Sequence, residues 1–68
     1  MNSEQHHANC YVLLGLAKKH YEEGNEKAME ALLPDLDNAI RDGRTSLSMM
    51  SMMQTIRRKI ERKLYWGK

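Results

Sequence analysis

The chain has 68 residues, of which 41% are hydrophobic and 29% charged, and a net charge of +2. That apolar share supports a packed helical domain rather than disorder. So short a chain buries less of its surface than larger domains do, so self-association or a partner is expected to complete the core. The single cysteine, Cys10, excludes an intrachain disulfide, and no run approaches the roughly 18 apolar residues of a membrane span. The polar residues 2–7 and the short apolar run 11–17, with no cleavage site after it, do not fit a signal peptide, which leaves the cytoplasm as the expected location.

The first predicted helix covers residues 4–23, with Ser3 as N-cap, Glu4 in the first turn and Gly24 as C-terminal stop. Its main apolar stripe is Cys10, Leu13, Leu14, Ala17 and Tyr21. Val12 and Leu16 project from nearly the opposite side, with Tyr11 between. A helix apolar on two faces is sandwiched or used for association, and Val12 and Leu16 are the expected self-association residues.

The second predicted helix covers 26–42, capped by Asn25 and opened by Glu26, whose charge suits the helix dipole. Ala28, Met29, Leu32, Leu33, Leu36, Ala39 and Ile40 keep helical register through Pro34. Proline there removes one backbone hydrogen bond and crowds the preceding turn, so a kink or restart is expected at Pro34. The alternative is two short helices with Pro34 at the first position of the second.

Asp42-Gly43 signals a turn, after which Thr45 or Ser46 caps a third helix over 46–65. A later start at Ser51, with Gln54 at capping-box spacing, is the alternative. Met49, Met52, Met53, Ile56, Ile60 and Leu64 fall within an arc of about 120°. Arg57 and Lys63 flank this stripe, while Arg58, Lys59 and Arg62 occupy the far side. Short connections make consecutive helices antiparallel, so the expected fold class is an all-α, up-down-up three-helix arrangement in one domain, without strands.

The order Tyr11, Leu14, Gly15, Ala17, Tyr21, Gly24, Asn25, Ala28 and Leu32 resembles the helix-turn-helix hairpin of a tetratricopeptide repeat, over less than half of the chain. The glycine turn falls two residues late and no second copy follows. The resemblance therefore implies an antiparallel hairpin, and the peptide-binding function of that family is not carried over.

Charge is divided unevenly along the chain. Residues 1–43 hold four basic residues against eight acids, a net −4, and residues 44–68 hold seven against one, a net +6. Such a split suits a basic segment for an acidic partner or nucleic acid, or two halves that attract each other in the fold.

Few residues suggest chemistry. His6 and Cys10 stand at helical metal-ligand spacing, with His7 and His20 nearby, but a structural zinc site needs four ligands and no second cysteine or His pair supplies them. Cys10 lies on the apolar stripe, where packing accounts for it better than nucleophilic catalysis does. Asp35 with Asp37, and Glu22 with Glu23, fit solvated helix surface better than paired catalytic carboxylates. No phosphate loop, nucleophile elbow or cofactor fingerprint occurs. The expectation is therefore no enzyme, no catalytic or metal residues and no cofactor.

Met49, Met50, Met52 and Met53 span about 200° of helix surface, and flexible thioethers suit surfaces that adapt to a partner. The expected partner-binding residues are Met49, Met50, Met53, Arg57, Arg58, Arg62, Lys63 and Trp66. The expected function is a small interaction protein that regulates or inhibits a larger protein through its Met-rich basic third helix and forms a homo-oligomer. The alternative is a nucleic-acid-binding regulator using the basic face, with Gln54 and Thr55 as the available base-reading side chains. A basic helix ending in Tyr65-Trp66 also fits an interfacial membrane anchor, a weaker expectation than either.

Overall fold

Three helices follow one another, α1 (Ser3–Glu23), α2 (Glu26–Arg41) and α3 (Leu47–Glu61), in a computed structural model that describes residues 3–66. The chain past α3 widens into a π-helical turn, Arg62–Trp66, which the sequence pattern did not foretell. No strand occurs among the described residues, and the three helices pack on one another as an all-α arrangement. The cap expected of Ser3 lies outside the described side chains.

The helix ends follow from local chemistry. At the end of α1, Gly24 takes φ +70°, a left-handed conformation that suits a residue without Cβ. Its N–H donates to Tyr21 O at 3.2 Å and that of Asn25 to His20 O at 3.0 Å, the paired bonds of a Schellman stop. Asn25 then caps α2, its side chain accepting from Ala28 N at 3.2 Å. Ser46 caps α3 in the same way, accepting from Met49 N at 3.2 Å. A turn joins these two helices, with Thr45 N donating to Asp42 O at 3.1 Å and Arg44 N to Asp42 Oδ1 at 2.9 Å.

α2 is one helix through Pro34, so the two-helix alternative falls. The apolar stripe explains it: Met29 before the proline and Leu36 after it are both fully buried, and one continuous helix keeps them on the same face. The core consists of Cys10, Leu14 and Ala17 from α1, these two residues of α2, Met49, Met53, Ile56 and Ile60 of α3, and Leu64 of the π turn. α1 and α3 run parallel, since His6 meets Thr45 at one end of the bundle and Lys63 meets Tyr21 at the other.

Candidate functional site

The residues expected to form one binding face on α3 are distributed to four different environments. Met49 and Met53, expected among the partner-binding residues, are 1% and 0% exposed and belong to the core of the chain. The packing of three helices on a short chain uses the whole stripe, and unbranched thioethers fill it. Met50 is half-buried. Met52, expected within the buried stripe, is 39% exposed instead, because it lies at the stripe's edge toward α1.

Two of the expected basic contacts are also used inside the chain. Arg57 reaches α2, with Nη2 donating to Asp37 Oδ2 at 3.2 Å and Nε lying 2.7 Å from Asp37 Oδ1, off the donor line and so a charge contact rather than a directed bond. It also pairs with Glu61 one turn on. Lys63 donates to Tyr21 O at 2.9 Å, and its ammonium lies 4.6 Å from the centre of the Tyr21 ring. A cation at the carbonyl end of α1 and over an aromatic face is stabilised twice. These contacts join the acidic first half of the chain to the basic second half.

Arg58, Lys59 and Arg62 remain exposed, with no acidic partner among the described residues. Tyr65 and Trp66, 61% and 81% exposed, follow them on the π turn. Leu47 is exposed at the opposite end of α3.

Between α1 and α3 lies an open groove of about 500 Å³, lined by Lys18, Tyr21 and Glu22 on one wall and Ser51, Met52, Thr55, Ile56 and Lys59 on the other. Tyr21, Met52 and Ile56 supply its apolar surface. Lys18 and Lys59 stand on opposite walls, and neither has an acidic partner among the described residues. Sequence reasoning missed this site. Its one visible signal was Met52, set at the margin of an otherwise buried stripe.

At the other end of the bundle, His6 is buried at 9% exposure between α1 and the α2–α3 turn. Thr45 Oγ1 donates to Ala39 O at 2.5 Å, so its oxygen accepts the 2.9 Å bond from His6 Nε2. Cys10 Sγ lies 3.5 Å from that same nitrogen and Asp42 Oδ2 lies 3.8 Å from Nδ1. A thiol, an imidazole and a carboxylate thus stand in line, as in a nucleophilic triad. The thiol is nevertheless 3% exposed, and the nitrogen beside it carries the hydrogen given to Thr45, so it cannot take a proton from sulfur. The arrangement is a buried polar latch. Arg44 completes it by gripping the Asp42 carboxylate at 2.7 and 3.0 Å, which holds that carboxyl far below its ordinary range. Among the described residues no group of three His, Cys, Asp or Glu side chains could hold a metal, and no helix is long and apolar enough to cross a membrane.

The outer face of α1 keeps Tyr11, Val12 and Leu16 at 55%, 63% and 41% exposure. Gly15 lies among them in mid-helix, where glycine costs about 1 kcal/mol relative to alanine. A Cβ built on it meets nothing within 4 Å, so no neighbour in this chain requires the missing side chain.

No family model, curated relative or solved structure matches the chain.

Proposed function

We propose that the protein is a non-enzymatic interaction protein that regulates or inhibits a larger protein by accepting one of its helices, acidic and amphipathic, in the α1–α3 groove. The observation that carries this reading is the groove itself: an apolar strip of Tyr21, Met52 and Ile56 between two unpaired lysines, Lys18 and Lys59. A helix laid in such a groove buries its apolar face on the strip and brings flanking carboxylates to the lysines. Met52 is the natural anchor point, being adaptable in shape and already part-exposed. The reading keeps α3 as the binding helix and moves the contact from its stripe to its α1 side.

The test is capture from cell extract, under nuclease, by wild type, by Met52→Asp and by the double variant Arg58→Glu with Arg62→Glu. The protein partner should be retained by wild type and by the double charge variant, and lost by Met52→Asp. Retention by Met52→Asp would reject the groove.

One observation favours a second reading. The uncompensated basic residues Arg58 and Lys59 of α3 and Arg62 of the π turn are exposed, as are Gln54 and Thr55 one turn earlier, which suits a polyanion such as nucleic acid. In that case binding falls steeply with salt and the double charge variant, not Met52→Asp, abolishes it.

A further inference from the structure

The outer face of α1 carries an inference independent of the groove. Helical spacing places Glu4, Ala8, Tyr11, Val12, Gly15 and Lys19 along one stripe, on the side of α1 away from Cys10, Leu14 and Ala17. All six are exposed. Gly24 is the described glycine with a positive φ, so Gly15 is not required by backbone conformation, and the open space around it shows that it is not required by packing within the chain. A glycine in mid-helix that its own chain does not need is accounted for by the close approach of another backbone. The large side chains flanking it, Tyr11 and Val12, are more than half exposed, and Tyr11 meets the His7 ring edge-on, with 4.8 Å between ring centres.

We infer that α1 pairs with α1 of a second copy of this chain, antiparallel, about a twofold axis passing between Tyr11 and Val12. In that register Ala8 lies across from Gly15 of the second copy, Tyr11 from Val12, and Glu4 from Lys19, and symmetry makes each pairing twice. Charge complementarity selects this occupant. Neither Glu4 nor Lys19 has a partner within the described chain, and the antiparallel register joins them at both ends of the seam. A parallel pair would instead set Glu4 against Glu4 and Lys19 against Lys19. The two Ala8–Gly15 crossings let the helix axes approach to about 8 Å, at the short end of helix packing distances. Leu16 then covers the edge of the seam beside Val12.

Sedimentation equilibrium at micromolar concentration tests this. Wild type should show twice the chain mass of 8.0 kDa. Gly15→Leu adds bulk on an exposed face where a Cβ meets nothing within 4 Å, so it should stay helical by circular dichroism and sediment as a single chain. Glu4→Lys alone and Lys19→Glu alone should each weaken the dimer about tenfold by setting like charges across both ends, and the two together should restore it. A wild-type mass of one chain at every concentration would overturn the inference. So would a dimer that Gly15→Leu leaves intact, or a double variant no tighter than the single ones.

Discussion

Arg57 of α3 lies against Asp37 of α2, with Nε 2.7 Å from Oδ1, and through this pair the basic end of the sequence is bound to its acidic beginning. The uneven division of charge is therefore used partly inside the fold. With side chains 30% and 39% exposed the pair is screened, and Arg57→Ala should cost about 0.5–1 kcal/mol. That corresponds to a few degrees in Tm for a domain of this size, whereas Arg58→Ala should leave Tm unchanged in the same melting experiment.

The latch at the start of α1 carries a larger share of stability. Thr45→Val keeps the shape of the side chain but removes the oxygen partner of the buried His6 Nε2, while Ala39 O keeps the bond from Asp42 N. The expected loss is about 1–3 kcal/mol by urea denaturation. Ser46→Ala, which removes only the cap on Met49 N, should cost about 1 kcal/mol. Equal effects would show that the latch contributes no more than a helix cap.

Asp42 predicts a specific acid sensitivity. The side-chain hydrogen bond from Arg44, followed by the backbone bond from the same residue, holds its carboxyl far below the ordinary value of 3.8. A carboxyl depressed in the folded state stabilises the fold fully above its ordinary pKa, and that stabilisation is lost as pH falls from there toward the folded value. Tm measured from about pH 5 down to pH 2 should therefore fall more steeply for wild type than for Asp42→Asn, which has no such proton to bind.

Core and surface should separate cleanly on α3. Ile60 is 0% exposed, so Ile60→Asp buries an unpaired carboxylate whose cost of several kcal/mol is comparable with the stability of a small domain, and it should unfold the chain. Arg58→Glu should remain folded by circular dichroism. Pro34→Ala should stabilise α2 by up to about 3 kcal/mol, since it restores a backbone donor and removes the ring from the interior of a continuous helix.

Much of this was legible in the sequence, because the helical stripes are strong. Cys10, Leu14, Ala17, Met29, Leu36, Ile56 and Ile60 were placed on buried faces by periodicity alone, Gly24 and Asn25 marked helix ends by their local chemistry, and of the caps open for α3, at Thr45, Ser46 or Ser51, Ser46 is the one used. Periodicity cannot say how far a stripe is covered. Met52 shares its arc with Met49 and Met53, and whether such an edge position is buried or opens into a groove depends on where α1 lies. Nor can it pair distant residues: Arg57 with Asp37, Lys63 with the end of α1, and His6 with Thr45 each join positions 20 to 42 residues apart. Those pairings engage Arg57 and Lys63 within the chain, while Arg58, Lys59 and Arg62 stay exposed.

The most direct test of the groove is amide NMR mapping on the folded protein, titrated separately with an acidic amphipathic helical peptide and with a short DNA duplex. The groove reading predicts that the peptide shifts Lys18, Tyr21, Met52, Thr55, Ile56 and Lys59, and that the shifts persist at physiological salt. Shifts produced by DNA alone and centred on Arg58, Arg62 and Trp66 would contradict it, as would a peptide that leaves the groove residues unmoved.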